Sequence, residues 1–194
     1  PAPESLPEYQ AVIVATATMS NVDWQRTYLF YWAVQTFHCL GLAQHIAIIF
    51  RKHFGISYSY FYQSLIDYFT VSGNTAVGKQ INLVRKVVAE AMTGGSLDLV
   101  IPELGEICWP LEEASFLALM ADKKKFYQEI RSFIEVLTQL QDQVVDPDLL
   151  DDLILYESSI IKDPYLVEIS IRLKYDLPGY FSCLDDSLSP PLNI

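Results

Sequence analysis

The stretch Thr27-Tyr28-Leu29-Phe30-Tyr31-Trp32-Ala33-Val34-Gln35-Thr36-Phe37-His38-Cys39-Leu40-Gly41-Leu42-Ala43-Gln44-His45-Ile46-Ala47-Ile48-Ile49-Phe50 contains no Asp, Glu, Lys or Arg. It lies within a longer block, Trp24 to Phe69, which holds fourteen of the 25 aromatic residues and all three histidines. Such a stretch belongs in lipid, in a protein core or around a ligand. Its length suffices for a bilayer span, which needs about 20 apolar residues. Gln35, His38, Gln44 and His45 sit near its middle, however, where lipid-facing polar groups are costly. Gly41 also divides it into two shorter pieces. A buried pair of helices is the better reading, and no membrane partner is expected.

Working outward, capping signals mark a series of helices. Ser20 with Asp23 three residues later makes a capping box, so a helix is expected from there to about Leu40. A second spans Leu42 to Phe54, with Arg51, Lys52 and His53 suited to its C-terminal dipole. Ser57 or Ser59 caps a third that reaches about Val71. A fourth runs from Thr75 to Met92 and is closed by Gly94-Gly95. Leu97 to Trp109 reads as irregular or as a short strand. Pro110 then opens a helix over 111–120, followed by another over 122–142. Asp146-Pro147-Asp148 begins a last one, to about Tyr156.

Two segments read as strands. Residues 10–18 are rich in β-branched side chains. Residues 166–175 alternate, with Val167, Ile169, Ile171, Leu173 and Tyr175 on one face and Glu168, Ser170, Arg172 and Lys174 on the other. Pairing the two satisfies their backbone groups. The expected fold is therefore mainly α: a bundle of six to seven helices with a small antiparallel β-pair, residues 10–18 and 166–175. One domain is expected over 1–176, with a flexible tail over 177–194.

With 194 residues, 51% of them hydrophobic, the chain can bury one sizeable core. Its net charge of −11 is unevenly placed: residues 1–100 are neutral, and the acidic surplus falls entirely in residues 101–194. Nucleic acid is excluded as a partner, because phosphate binding needs a clustered basic surface. The one basic run, Lys123-Lys124-Lys125, reads as a solvated helix face. Cys39, Cys108 and Cys183 are odd in number and far apart, which fits a reducing cytoplasm better than a disulfide framework. The start at Pro1 reads as that of a trimmed chain or of a fragment of a longer protein.

Chemistry-bearing clusters are sparse. His38, His45, His53 and Cys39 allow a haem or metal site, but compact ligand motifs are missing. Each histidine also has an ordinary structural reading. Glu103, Glu106, Glu112 and Glu113 around Trp109-Pro110 could bind a cation or serve as helix-start acids. Asp146, Asp148, Asp151 and Asp152 lack the calcium-loop pattern. The aromatic block itself is plain core, the lining of a pocket for an apolar ligand, or a docking surface.

Four motifs occur in order: Met19-x3-Asp23-Trp24; Phe30-x-Trp32-x2-Gln35-x-Phe37-His38-x-Leu40-Gly41-Leu42; Ser57-Tyr58-x2-Phe61-Tyr62; and Trp109-Pro110-x-Glu112-Glu113. Together the series resembles the C-terminal region of radical S-adenosylmethionine (SAM) proteins that carry an N-terminal cobalamin-binding domain, over residues 8 to 175. Members of that family hold a [4Fe–4S] cluster on a Cys-x3-Cys-x2-Cys loop in a barrel domain, and the three cysteines here cannot form that loop. The resemblance therefore implies an accessory domain with no catalytic residue and no cofactor of its own. The parent protein would supply the [4Fe–4S] cluster, S-adenosylmethionine and cobalamin. Its upstream barrel, in the same polypeptide, would be the partner. Under that resemblance Gln35, His38, Tyr58 and Glu112 are the candidates for contact with substrate or barrel, being polar groups set in apolar surroundings. Two further readings stay open. One is a free-standing helical interaction module, prone to self-association, with its acidic half toward a basic partner. The other is a small haem- or metal-binding protein.

Overall fold

The computed structural model describes residues 11–161 and 170–183. These fold into eight α-helices and one two-stranded antiparallel sheet, so the expected mainly-α class with a small β-pair holds. α1 spans Asn21–Ala33 and continues as a π-helical segment, Val34–Cys39. Then come α2 (Gln44–His53), α3 (Tyr58–Val71), α4 (Ala76–Ala91), β1 (Asp98–Val100), β2 (Cys108–Pro110), α5 (Leu111–Met120), α6 (Lys123–Leu140), α7 (Pro147–Ile160) and α8 (Leu177–Ser182).

Helix starts follow the capping signals. The Ser20 hydroxyl accepts the Asp23 N–H at 3.2 Å while Asp23 reaches back, completing the capping box. The side chains of Ser57, Thr75, Asp122 and Asp146 each accept one backbone N–H at the starts of α3, α4, α6 and α7. The uncharged stretch does divide at Gly41. Its φ of +80° is open to glycine, and the chain bends by 95° between the α1–π segment and α2. Among the described residues no single helix is long and apolar enough to cross a membrane.

Trp32, Phe37, Phe50, Phe61, Phe69, Phe126 and Phe133 are fully buried together, where α1, the π-segment, α2 and α3 meet α6. Rings stand edge-on between Trp32 and Phe37 at 5.7 Å and between Phe61 and Phe133 at 5.4 Å. Each such side chain removed from water stabilises the fold by roughly 1.5–3 kcal/mol. The aromatic block is thus mostly core. Close helix packing also selects Gly78: a Cβ there would stand 2.5 Å from the Ser72 carbonyl oxygen and 2.8 Å from that of Phe69.

Three expectations need correction. The sheet is not formed by 10–18 and 166–175. It pairs β1 with β2 in the register Asp98↔Pro110, Leu99↔Trp109, Val100↔Cys108, inside the segment read as irregular or a short strand. The described parts of the expected strands, 11–18 and 170–175, carry no strand; residue 10 and residues 166–169 lie outside the described residues. Residues 177–182, expected to begin a tail, form α8, with Leu177 and Tyr180 buried; residues 184–194 lie outside the described residues. Within the basic run, Lys123 is half-buried and donates to the Ile161 carbonyl at 2.6 Å, so it is not merely solvated.

The acidic surplus has an internal use. Glu157 accepts the His45 N–H at 3.0 Å and the Ile46 N–H at 3.3 Å. Glu129 accepts those of Ala76 and Val77 at 2.8 and 3.2 Å. Asp152 accepts those of Lys174 and Tyr175 at 2.5 and 2.8 Å. Carboxylates from the acidic half thereby satisfy two helix starts in the neutral half, where orphan N–H groups and the helix dipole favour negative charge.

Candidate functional site

The π-segment sets the geometry of the candidate site. Its wider turns carry the chain from Gln35 to the Leu40 N–H, which donates to the Gln35 carbonyl at 2.9 Å. Such insertions in a helix recur at functional positions. His38 falls on this segment and stands against α3. Its Nδ1 lies 2.8 Å from the Tyr62 hydroxyl, and its ring meets Tyr58 edge-on at 5.3 Å. Tyr58 and Tyr62 are four residues apart and share one face of α3. Tyr62 is 1% exposed and Tyr58 39%, so the pair runs from core to surface.

Burial, with a contribution from His45, holds His38 below the ordinary histidine range. Burial pushes the Tyr62 phenol well above its ordinary value, and the Glu157 carboxylate adds to this. His38 therefore favours the neutral imidazole, and Tyr62 stays a neutral phenol.

The other candidates lie on the π-segment and on α5, which packs against it. Gln35 is half-buried on the same π-segment. Glu112 lies half-buried in the first turn of α5, 3.5 Å from the hydroxyl of Tyr31, which is 44% exposed. Tyr28 packs beside Tyr31 at 5.7 Å, and burial together with Glu112 pushes its phenol up to about 12. α5 is fastened to α1 by the buried Trp32 indole, which donates to the Ser115 hydroxyl at 3.0 Å. Cys39 is exposed and follows His38 directly at the end of the π-segment.

Four candidates chosen from sequence thus fall into two groups: His38 with Tyr58 and Gln35, and Glu112 with tyrosines. Tyr28 and Tyr31, not singled out from sequence, complete the site with Cys39, read from sequence as a possible metal ligand, and Tyr62, read there only as part of a motif. For Tyr62 a signal existed, the i, i+4 spacing to Tyr58. For Tyr31 none did, since Glu112 lies 81 residues away.

The three histidines do not converge. His38 is engaged by Tyr62, His45 has Nδ1 3.3 Å from buried Glu157, and His53 Nε2 lies 3.0 Å from the Tyr180 hydroxyl. Among the described residues no three His, Cys, Asp or Glu side chains gather in a metal-binding group. Cys39, Cys108 and Cys183 are free, exposed and on separate elements. Among the described residues the three cysteines do not gather into an iron–sulfur ligand set.

Comparison with known proteins gives the context for this surface. The chain is 25% identical, over 195 aligned positions, to the cobalamin-dependent radical SAM methyltransferase TokK of Streptomyces tokunonensis. This chain resembles one part of a radical SAM methyltransferase. The alignment takes in 93% of the chain and 28% of TokK, a coverage consistent with a C-terminal region. A second relative, the 2-(S-pantetheinyl)-carbapenam-3-carboxylate methyltransferase of Streptantibioticus cattleyicolor, is 24% identical over the same shares. No protein-family model matches the chain. The chain thus spans little more than a quarter of the relatives it matches, and the resemblance read from its motifs agrees with them.

Proposed function

We propose that this chain is the C-terminal accessory domain of a cobalamin-dependent radical SAM enzyme, turning its Gln35–His38–Tyr58–Glu112 surface toward the upstream barrel and the substrate held there. The observation that carries the reading is the match of 93% of the chain to 28% of a cobalamin-dependent radical SAM methyltransferase. The arrangement of the surface supports it. Half-exposed tyrosines, an imidazole and a carboxylate lie over a rigid aromatic core, and such a surface binds and orients a partner without itself supplying a reaction.

On this reading the parent polypeptide holds the [4Fe–4S] cluster, S-adenosylmethionine and cobalamin upstream, and methyl transfer takes place there. The work of this chain is to position, to shield from water and to select. The test is to express the full polypeptide that carries this chain and analyse it anaerobically. A Cys-x3-Cys-x2-Cys loop upstream, with iron and sulfide bound in the purified protein, is the expected result. A full polypeptide without that loop overturns the reading.

A further inference from the structure

Tyr62 and His38 share one hydrogen bond, and burial decides its direction. The Tyr62 hydroxyl is enclosed in the core, and among the described residues His38 Nδ1, at 2.8 Å, is its hydrogen-bond partner. If Nδ1 carried the proton and donated, the phenol hydrogen would be left buried with no acceptor. Buried donors without acceptors are strongly disfavoured. Glu157 does not relieve this, because among the described residues the Tyr62 hydroxyl makes no hydrogen bond to it. Tyr62 therefore donates and Nδ1 accepts. A neutral imidazole that accepts at Nδ1 must carry its proton on Nε2.

The consequence concerns what can bind. The ring is pinned at one nitrogen by a buried phenol and flanked by the ring of Tyr58, which leaves Nε2–H as the donor at its other edge. On α5, which packs against the π-segment, the Glu112 carboxylate beside Tyr31 is an acceptor. We propose that Tyr62 is a positioning residue that fixes His38 as an Nε2–H donor, and that this donor selects a carboxylate or carbonyl oxygen on the molecule occupying the surface. The selection rests on the accessory-domain reading; the fixed tautomer does not.

The test is heteronuclear NMR of the 194-residue chain with 15N-labelled histidine, near neutral pH. His38 is expected to show a protonated Nε2 and an unprotonated, hydrogen-bonded Nδ1. In Tyr62→Phe the Nδ1 resonance moves to that of an unbonded ring nitrogen while His45 and His53 keep theirs, which also reports an intact fold. Acetate alone, as the probe, shifts the His38 Nε2–H resonance, and methylammonium at the same concentration does not. A proton on Nδ1 overturns the proposal, as does an Nδ1 resonance indifferent to Tyr62→Phe. Equal responses to acetate and methylammonium, or no response to acetate, overturn the selection. Should Tyr62→Phe fail to fold, the wild-type tautomer and the two titrations still decide. A full polypeptide lacking the upstream cysteine loop would remove the accessory-domain reading and leave the tautomer standing.

Discussion

Glu157 on α7 closes the start of α2: its buried carboxylate lies 3.0 Å from the backbone nitrogen of His45. α2 has no capping side chain of its own, because Ala43 occupies its N-cap. The cap comes from 112 residues away. Replacing Glu157 with Ala leaves two N–H groups without an acceptor, and a loss of about 2–4 kcal/mol is expected. Glu157→Gln keeps an acceptor oxygen and loses less. Urea midpoints of the three proteins provide the check.

The same carboxyl gives a pH signature. Burial raises the Glu157 pKa above its ordinary value of 4.5. The folded state thus keeps the proton longer than the unfolded chain, and this group's contribution is full below the ordinary value and lost as pH rises through the folded one. Glu157→Gln is therefore expected to gain on wild type as pH climbs from about 4.5 upward. A constant stability difference across that window would count against a raised pKa.

His38 runs the other way. Burial and His45 lower its pKa, so its contribution is full above the ordinary value of 6.5 and lost as pH falls through the folded value. The titratable groups around it are Tyr58 and Tyr62 on α3, His45 on α2, and adjacent Cys39. Denaturation between pH 7.5 and 5 is expected to show a smaller acid-side loss for His38→Gln than for wild type.

Gly78 tests helix packing between α3 and α4. Adding a methyl group forces it against the backbone oxygens of Phe69 and Ser72, which cannot swing aside. Gly78→Ala is expected to cost about 1–3 kcal/mol despite the better helix propensity of alanine. Thermal unfolding that shows a stabilised variant would refute that packing.

Asp152 holds the 174–175 backbone onto α7, and the Tyr175 hydroxyl donates to Asp146 at 2.6 Å. Amide hydrogen exchange at Lys174 and Tyr175 should accelerate in Asp152→Ala, while exchange in the core of α6 stays slow. Uniform acceleration would mean that Asp152 supports the whole fold instead.

These contacts explain what the sequence could and could not reveal. Helix starts were legible because Ser20 with Asp23, Ser57 and Asp146 with Pro147 act within one turn. The alternation at 166–175 was real, but alternation says nothing about whether a partner strand is available. In its described part the Lys174 and Tyr175 N–H groups bond to a side chain, Asp152, so no ladder is needed there. The two strands that do pair hold only three residues each, too few to alternate recognisably. In the site, His38 and Tyr58, singled out as polar groups in apolar surroundings, stand edge-on to one another at 5.3 Å. Tyr62 was signalled by its i, i+4 spacing to Tyr58, whereas Tyr31 was hidden because its partner Glu112 lies 81 residues away.

Cys39 offers the most direct test of the central claim that this surface faces the rest of the polypeptide. Its thiol is exposed in this chain and stands next to His38 at the end of the π-segment. Maleimide labelling, read by peptide mass spectrometry, compares the chain alone with the full polypeptide. The account predicts rapid labelling of Cys39 in the chain and loss of most of it in the full polypeptide. Equal labelling of Cys39 in both would contradict it.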